Sequence, residues 1–111
     1  MYTVTKRLEV AGAHKLTLPY KSKCSNLHGH NWIIYVTCKA ETLNENGMVV
    51  DFKHISEAVK DNLDHQYVNE VLPNMNPTAE NIAKWIHDNI PHCVKVQVQE
   101  SEGNVAIYEE T

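Results

Sequence analysis

His28-Gly29-His30-Asn31-Trp32-Ile33-Ile34-Tyr35-Val36-Thr37-Cys38-Lys39-Ala40 is the stretch that decides how this chain folds. Residues 31–40 are rich in β-branched and aromatic types, which suit a pleated, half-buried strand. Alternate residues of a strand share a face, so His28 and His30 can point at one ion. A third imidazole from a neighbouring strand would complete a three-histidine site, and His14 lies upstream in Val10-Ala11-Gly12-Ala13-His14-Lys15-Leu16. Three protein ligands with one open position are the arrangement of catalytic zinc, whereas structural zinc is usually closed by four. Cys24 precedes His28 by four residues and is either a fourth ligand or a nearby base. On these residues alone, His-x-His reads equally well as loop histidines with no metal, and Cys24 as a free loop thiol.

The pattern extends in both directions. Residues 2–10 alternate polar and apolar and read as a first strand. Residues 15–29 hold Pro19, Gly29 and many polar side chains, so they read as a long loop, a kind that is usually functional inside a compact domain. Glu45-Asn46-Gly47 is a turn signal. Asp51 is a good N-cap, and Phe52, Ile55, Val59 and Leu63 follow at helical spacing. Asn76-Pro77 reads as N-cap and first residue of a second helix, which runs to about Asn89 and buries Ile82, Trp85 and Ile86. Pro91 stops it. Residues 93–100 alternate almost strictly, and a short turn at Ser101-Glu102-Gly103-Asn104 leads into residues 105–108, making a hairpin. The order is ββααββ in a single domain, residues 1–111. It predicts an α+β fold, a four-stranded antiparallel sheet with two helices on one face. Such a sheet exposes two edges unless copies join edge to edge, so a homo-oligomer is expected.

The bulk numbers exclude several classes. A formal net charge of −4 offers no basic face for a phosphate backbone, so no nucleic-acid partner is expected. No apolar run approaches the roughly 20 residues of a membrane helix, and the N-terminus lacks the apolar core of a signal peptide. No membrane partner and a cytoplasmic location are therefore expected. The three cysteines, Cys24, Cys38 and Cys93, are odd in number and show no short paired spacing, which argues against a disulfide framework. Cys38 and Cys93 fall in or beside apolar strand patterns and read as small core residues. His54, His87 and His92 show no partner pattern and read as surface residues.

Six segments carry a resemblance. They are Ala13-His14-Lys15-Leu16, Cys24-x-x-x-His28-Gly29-His30-Asn31, Gly47-Met48-Val49-Val50-Asp51-Phe52, Leu63-Asp64-His65, Asn76-Pro77-Thr78-Ala79-Glu80-Asn81 and Gln99-Glu100-Ser101. In order and near spacing they resemble the 6-pyruvoyltetrahydropterin and 6-carboxytetrahydropterin synthase family, across essentially the whole chain. The resemblance implies the tunnelling fold (T-fold) and a Zn2+ ion held by His14, His28 and His30. It implies a catalytic Cys24 assisted by Asp64 and His65, and Glu100 as the anchor of a pterin ring. Thr78 and Glu80 are further pocket candidates, although capping alone explains them. Lys15 is a candidate triphosphate contact, with Lys21 and Lys23. For Asp64-His65 the bland alternative is a polar helix terminus. For Glu100 it is a solvated strand end.

The three residues between Cys24 and His28 are similar to the 6-carboxytetrahydropterin branch, which serves queuosine and deazapurine biosynthesis. Many relatives have an aromatic residue in place of Val10 and an arginine in place of Lys15. The implied substrate is 7,8-dihydroneopterin triphosphate, and the implied assembly is a trimer or a dimer of trimers. A 6-pyruvoyltetrahydropterin synthase is the competing enzyme. A non-catalytic zinc- or pterin-binding protein is the competing class, and the combination of Cys24, Asp64 and His65 argues against it.

Overall fold

The computed structural model describes residues 1–111. Strands β1 (Tyr2–His14), β2 (His28–Ala40), β3 (Cys93–Ser101) and β4 (Asn104–Glu109) form one antiparallel sheet in the order β1-β2-β3-β4. Between β2 and β3 lie α1 (Phe52–Leu63), α2 (Val68–Val71) and α3 (Ala79–Asp88). The α+β architecture is the expected one, with the single turn α2 added to the two expected helices. No helix is long and apolar enough to cross a membrane.

Alternation along the strands builds the core. Leu8 and Val10 of β1, Trp32, Ile34, Val36 and Cys38 of β2, and Val96 and Val98 of β3 are all buried. They face Ile55, Val59 and Leu63 of α1 and Ile82, Ala83 and Ile86 of α3, each set at the three-to-four spacing of a helix stripe. Helix α1 packs on β1, and α3 packs on β3 and β4. The opposite face of the sheet carries Thr5, Arg7, Tyr35, Thr37, Lys95 and Gln97 along an open groove. Phe52 departs from its expected place in the buried stripe. It is 48% exposed and lines an apolar hollow with Tyr2, Leu43 and Met48.

Both leading strands run further than their alternation suggests. The ladder continues past Val10↔Trp32 through Gly12↔His30 to His14↔His28. The apolar pattern is interrupted at Gly12, which must be small. A Cβ on Gly12 would lie 2.9 Å from the Trp32 ring and 3.2 Å from the Gln66 carbonyl. The link between α1 and α2 crosses β1 there. Ala13 N–H donates to Gln66 O at 3.1 Å, and His65 N–H donates to Ala11 O at 2.6 Å.

The start of α3 also corrects the expectation. Its N-cap is Thr78, whose hydroxyl accepts from Asn81 N–H at 3.2 Å. Asn76 instead binds Thr17 through both side-chain ends, at 2.7 and 2.9 Å, and so pins the loop before β2. Asp51 caps α1 as expected, accepting from Lys53 N–H at 2.8 Å. Gly47 and Gly103 occupy the two expected turns at φ of 79° and 84°, a region glycine enters freely. His87 is not a surface residue. Its ring meets Asp88 at 2.9 Å and Glu110 at 2.6 Å, tying the C-terminal residues to α3.

Candidate metal centre and active site

Strand parity places the site. Val10, Trp32 and Val98 face the helices, and two further residues along each strand, or four along β1, reach His14, His30 and Glu100 on that same face. His28 extends the row on β2. The cluster therefore continues the core past Trp32, whose ring centre lies 5.2 Å from that of His14 and 5.4 Å from that of His30. The three imidazoles are mutual neighbours, with ring centres 4.6 to 5.1 Å apart. One nitrogen from each lies within 4.8 Å of the others.

The hydrogen bonds decide which nitrogen is free. His14 Nδ1 is 2.8 Å from the Pro77 carbonyl and His28 Nδ1 is 2.7 Å from the Asn26 carbonyl. A carbonyl only accepts, so each Nδ1 carries the proton and each Nε2 keeps a bare lone pair. This is the outer-shell arrangement that orients metal-binding histidines. His14 Nε2 and His30 Nε2 are buried without a hydrogen-bond partner, as is Trp32 Nε1. Burial lowers the pKa of His14 despite the opposing Pro77 bond, and burial likewise lowers that of His30. Both effects favour the neutral imidazole, the form a metal requires. Two buried Nε2 atoms without a partner, on His14 and His30, and a third ring that keeps its Nε2 lone pair free, on His28, fit a divalent metal.

Glu100 and Cys24 stand beside the cluster. Glu100 Oε1 is 3.5 Å from His14 Nε2 and 3.6 Å from His30 Nε2. Cys24 lies on a 3-10 turn, Lys23–Ser25, where Ser22 Oγ accepts its N–H at 3.1 Å and its carbonyl accepts from Leu16 N–H at 2.8 Å. The thiol is exposed. Lys23, Cys24, His28, Gly29, His30 and Glu100 line one hollow of about 350 Å³.

The remaining candidates are dispersed. Asp64 Oδ1 accepts from Ala11 N–H at 3.0 Å, and its other oxygen is 3.8 Å from His65 Nε2. His65 has a positive φ of 58° and a side chain 82% exposed. It lines a separate hollow with Gly12, Gln66 and Tyr67, so one chain does not bring this pair to Cys24. Glu80 and Glu100 share a third hollow of about 240 Å³ against β4. Thr78 is spent on capping. Lys15 holds Asn69 through its backbone, at 3.0 and 2.9 Å, and its side chain is exposed outside the histidine hollow. Sequence reasoning missed the Pro77 and Asn26 carbonyls, because a backbone acceptor leaves no signal in residue identity.

Known proteins share this frame. The family model "6-pyruvoyl tetrahydropterin synthase" matches residues 3–111. A Synechocystis protein named 6-carboxy-5,6,7,8-tetrahydropterin synthase is 34% identical, covering 97% of this chain and 93% of its own length. A human 6-pyruvoyl tetrahydrobiopterin synthase is 30% identical, covering 95% of this chain and 89% of its own length. The solved structure of the Caenorhabditis elegans 6-pyruvoyl tetrahydropterin synthase superposes with a TM-score of 0.77 at 23% identity, over 99% of this chain and 96% of that one. With the sheet order, the histidine cluster and these likenesses in agreement, the chain belongs to the 6-pyruvoyl tetrahydropterin synthase family, and its fold is the T-fold.

Proposed function

We propose that this protein is a zinc-dependent 6-carboxy-5,6,7,8-tetrahydropterin synthase, a lyase. It would convert 7,8-dihydroneopterin triphosphate and one water molecule into 6-carboxytetrahydropterin, releasing acetaldehyde and triphosphate, in cytoplasmic queuosine or 7-deazapurine synthesis. The observation that carries this reading is the trio of imidazoles, two of them with buried, unpartnered nitrogens, beside an exposed thiol. The names of the Synechocystis and Bacillus subtilis relatives, 34% and 27% identical, point to the carboxy product. The three-residue interval between Cys24 and His28 points the same way. The name of the human relative, 30% identical, favours a 6-pyruvoyl product as the second reading.

His14, His28 and His30 would hold the zinc, which polarises side-chain oxygens of the substrate and stabilises charge that develops there. Cys24, as thiolate, takes a carbon-bound proton so that triphosphate can leave. Asp64, 3.8 Å from the His65 ring, orients His65 to relay protons. Glu80 and Glu100 line the hollow where a pterin edge can present adjacent N–H donors to a carboxylate. Lys23 lines the thiol hollow and is better placed than Lys15 to meet the triphosphate.

Asp64 and His65 reach a thiol only if a second copy supplies them, so the working form is a homo-oligomer, a trimer or a dimer of trimers. Two exposed edges support this, the outer side of β1 before Ala11 and that of β4. The test is to incubate zinc-loaded protein with 7,8-dihydroneopterin triphosphate and to resolve the products by mass spectrometry. A 6-carboxypterin with acetaldehyde is the expected result. A 6-pyruvoyl product without acetaldehyde moves the protein to the second reading. No turnover with zinc present favours a binding protein.

A further inference from the structure

We propose that Glu100 is the fourth donor of the metal centre when no substrate is bound. The inference rests on the zinc reading above, and it places this carboxylate at the ion before it meets any ring edge.

Backbone geometry aims the side chain there. Glu100 follows Val96 and Val98 on the buried face of β3, so it projects toward the histidines and away from the open groove. Its Oε1 stands 3.5 Å from His14 Nε2 and 3.6 Å from His30 Nε2. Donors around one tetrahedral zinc stand about 3.3–3.5 Å apart when each bond is about 2.0–2.1 Å. Relative to two of the three imidazoles, the carboxylate occupies a fourth donor's position.

The electrostatics agree. The bare lone pair of His14 Nε2, the unpartnered His30 Nε2 and a carboxylate oxygen converge in a buried space where neither nitrogen has a hydrogen-bond partner. Acceptors facing acceptors repel, and a cation between them reverses the sign. Cys24 is the other candidate for the open position. Neither its sulfur nor the Glu100 carboxylate belongs to the trio whose ligand atoms all lie within 4.8 Å of one another, but the carboxylate stands against two of the imidazoles, whereas the thiol sits exposed on the 3-10 turn at the rim. The thiol is thereby left free for proton chemistry, and the carboxylate closes the site. A substrate must displace Glu100, and the released carboxylate is then at hand for N–H donors of a ring in the hollow it shares with Glu80.

The experiment uses the full chain loaded with cobalt(II) or zinc, comparing wild type, Glu100→Gln and Cys24→Ala. Visible bands of bound cobalt report coordination, and competition with a chromophoric chelator reports zinc affinity. Loss of even an outer-shell partner costs about 10- to 100-fold in affinity, and a direct donor contributes at least as much, so Glu100→Gln is expected to weaken zinc at least ten-fold and to change the cobalt bands. Cys24→Ala is expected to leave both unchanged. Metal bound equally well by Glu100→Gln, with unaltered bands, overturns this proposal alone. Altered bands in Cys24→Ala also overturn it. A wild type that takes up no metal overturns this proposal together with the zinc reading. Should Glu100→Gln fail to fold, Glu100→Asp keeps the charge and withdraws it by one methylene. Altered bands are then expected, and unaltered bands overturn the proposal.

Discussion

At the residue scale, the roles of Cys24 and His87 separate cleanly. Cys24 lies outside the converging imidazoles, so Cys24→Ala should retain zinc, measured by metal analysis, while product formation falls by two or more orders of magnitude, on the scale of a lost general base. The same exposure predicts reactivity. Of the three free thiols, Cys24 is exposed and Cys38 and Cys93 are buried, so a thiol-specific reagent should modify Cys24 well before the other two under native conditions. His87 shows how charge can hold a terminus. Both ring nitrogens meet carboxylates, Asp88 at 2.9 Å and Glu110 at 2.6 Å, and only the imidazolium can donate to both. Burial opposes that charge, but the bonds to Asp88 and Glu110 outweigh it and raise the pKa above its ordinary 6.5. A raised folded-state pKa contributes stability that is complete below the unfolded value and is lost as pH rises through the folded one. Melting curves of wild type and His87→Gln should therefore differ most just below pH 6.5 and converge as pH rises.

At the element scale, the N-terminus of α3 links stability to the candidate metal centre. Thr78 caps the helix, and the adjacent Pro77 carbonyl fixes the His14 ring at 2.8 Å. Thr78→Ala should cost about 1 kcal/mol in denaturant unfolding. It should also weaken zinc binding, because a frayed first turn releases that carbonyl. In α1 the buried stripe is less forgiving. Ile55 is fully buried, and Ile55→Ala should cost about 2–5 kcal/mol by urea titration through its lost contacts and the cavity left behind. The stripe in α1 and the cap at Asp51 were legible in the sequence, because both depend on residues within one or two turns. The cap of α3 is Thr78 and not the expected Asn76, because Asn76 is drawn to Thr17, across the chain, where no local pattern shows it.

At the scale of the whole molecule, the separation of Asp64 and His65 from Cys24, under the proposed function, predicts a site shared between copies. A chain carrying Cys24→Ala and one carrying His65→Ala should each be inactive. Reassembled as an equal mixture, they should recover about a quarter of wild-type activity if each site pairs one copy's thiol with its neighbour's histidine in a closed ring. No recovery would place the pair and the thiol in the same copy. By itself the sequence determined the four strands, the two long helices, the turn glycines and the pairing of His28 with His30 on one face. These follow from periods of two and 3.6 residues, which the backbone imposes over a few positions. The resemblance names His14 as the third histidine, and the strand register brings that trio together; only the tertiary structure decided that Glu100 stands against two of its nitrogens, and that Asp64 and His65 lie in another hollow. Those placements come from strand register and from the close crossing at Gly12. Residues distant in sequence meet only once the sheet has chosen its pairing and the helices have closed over it.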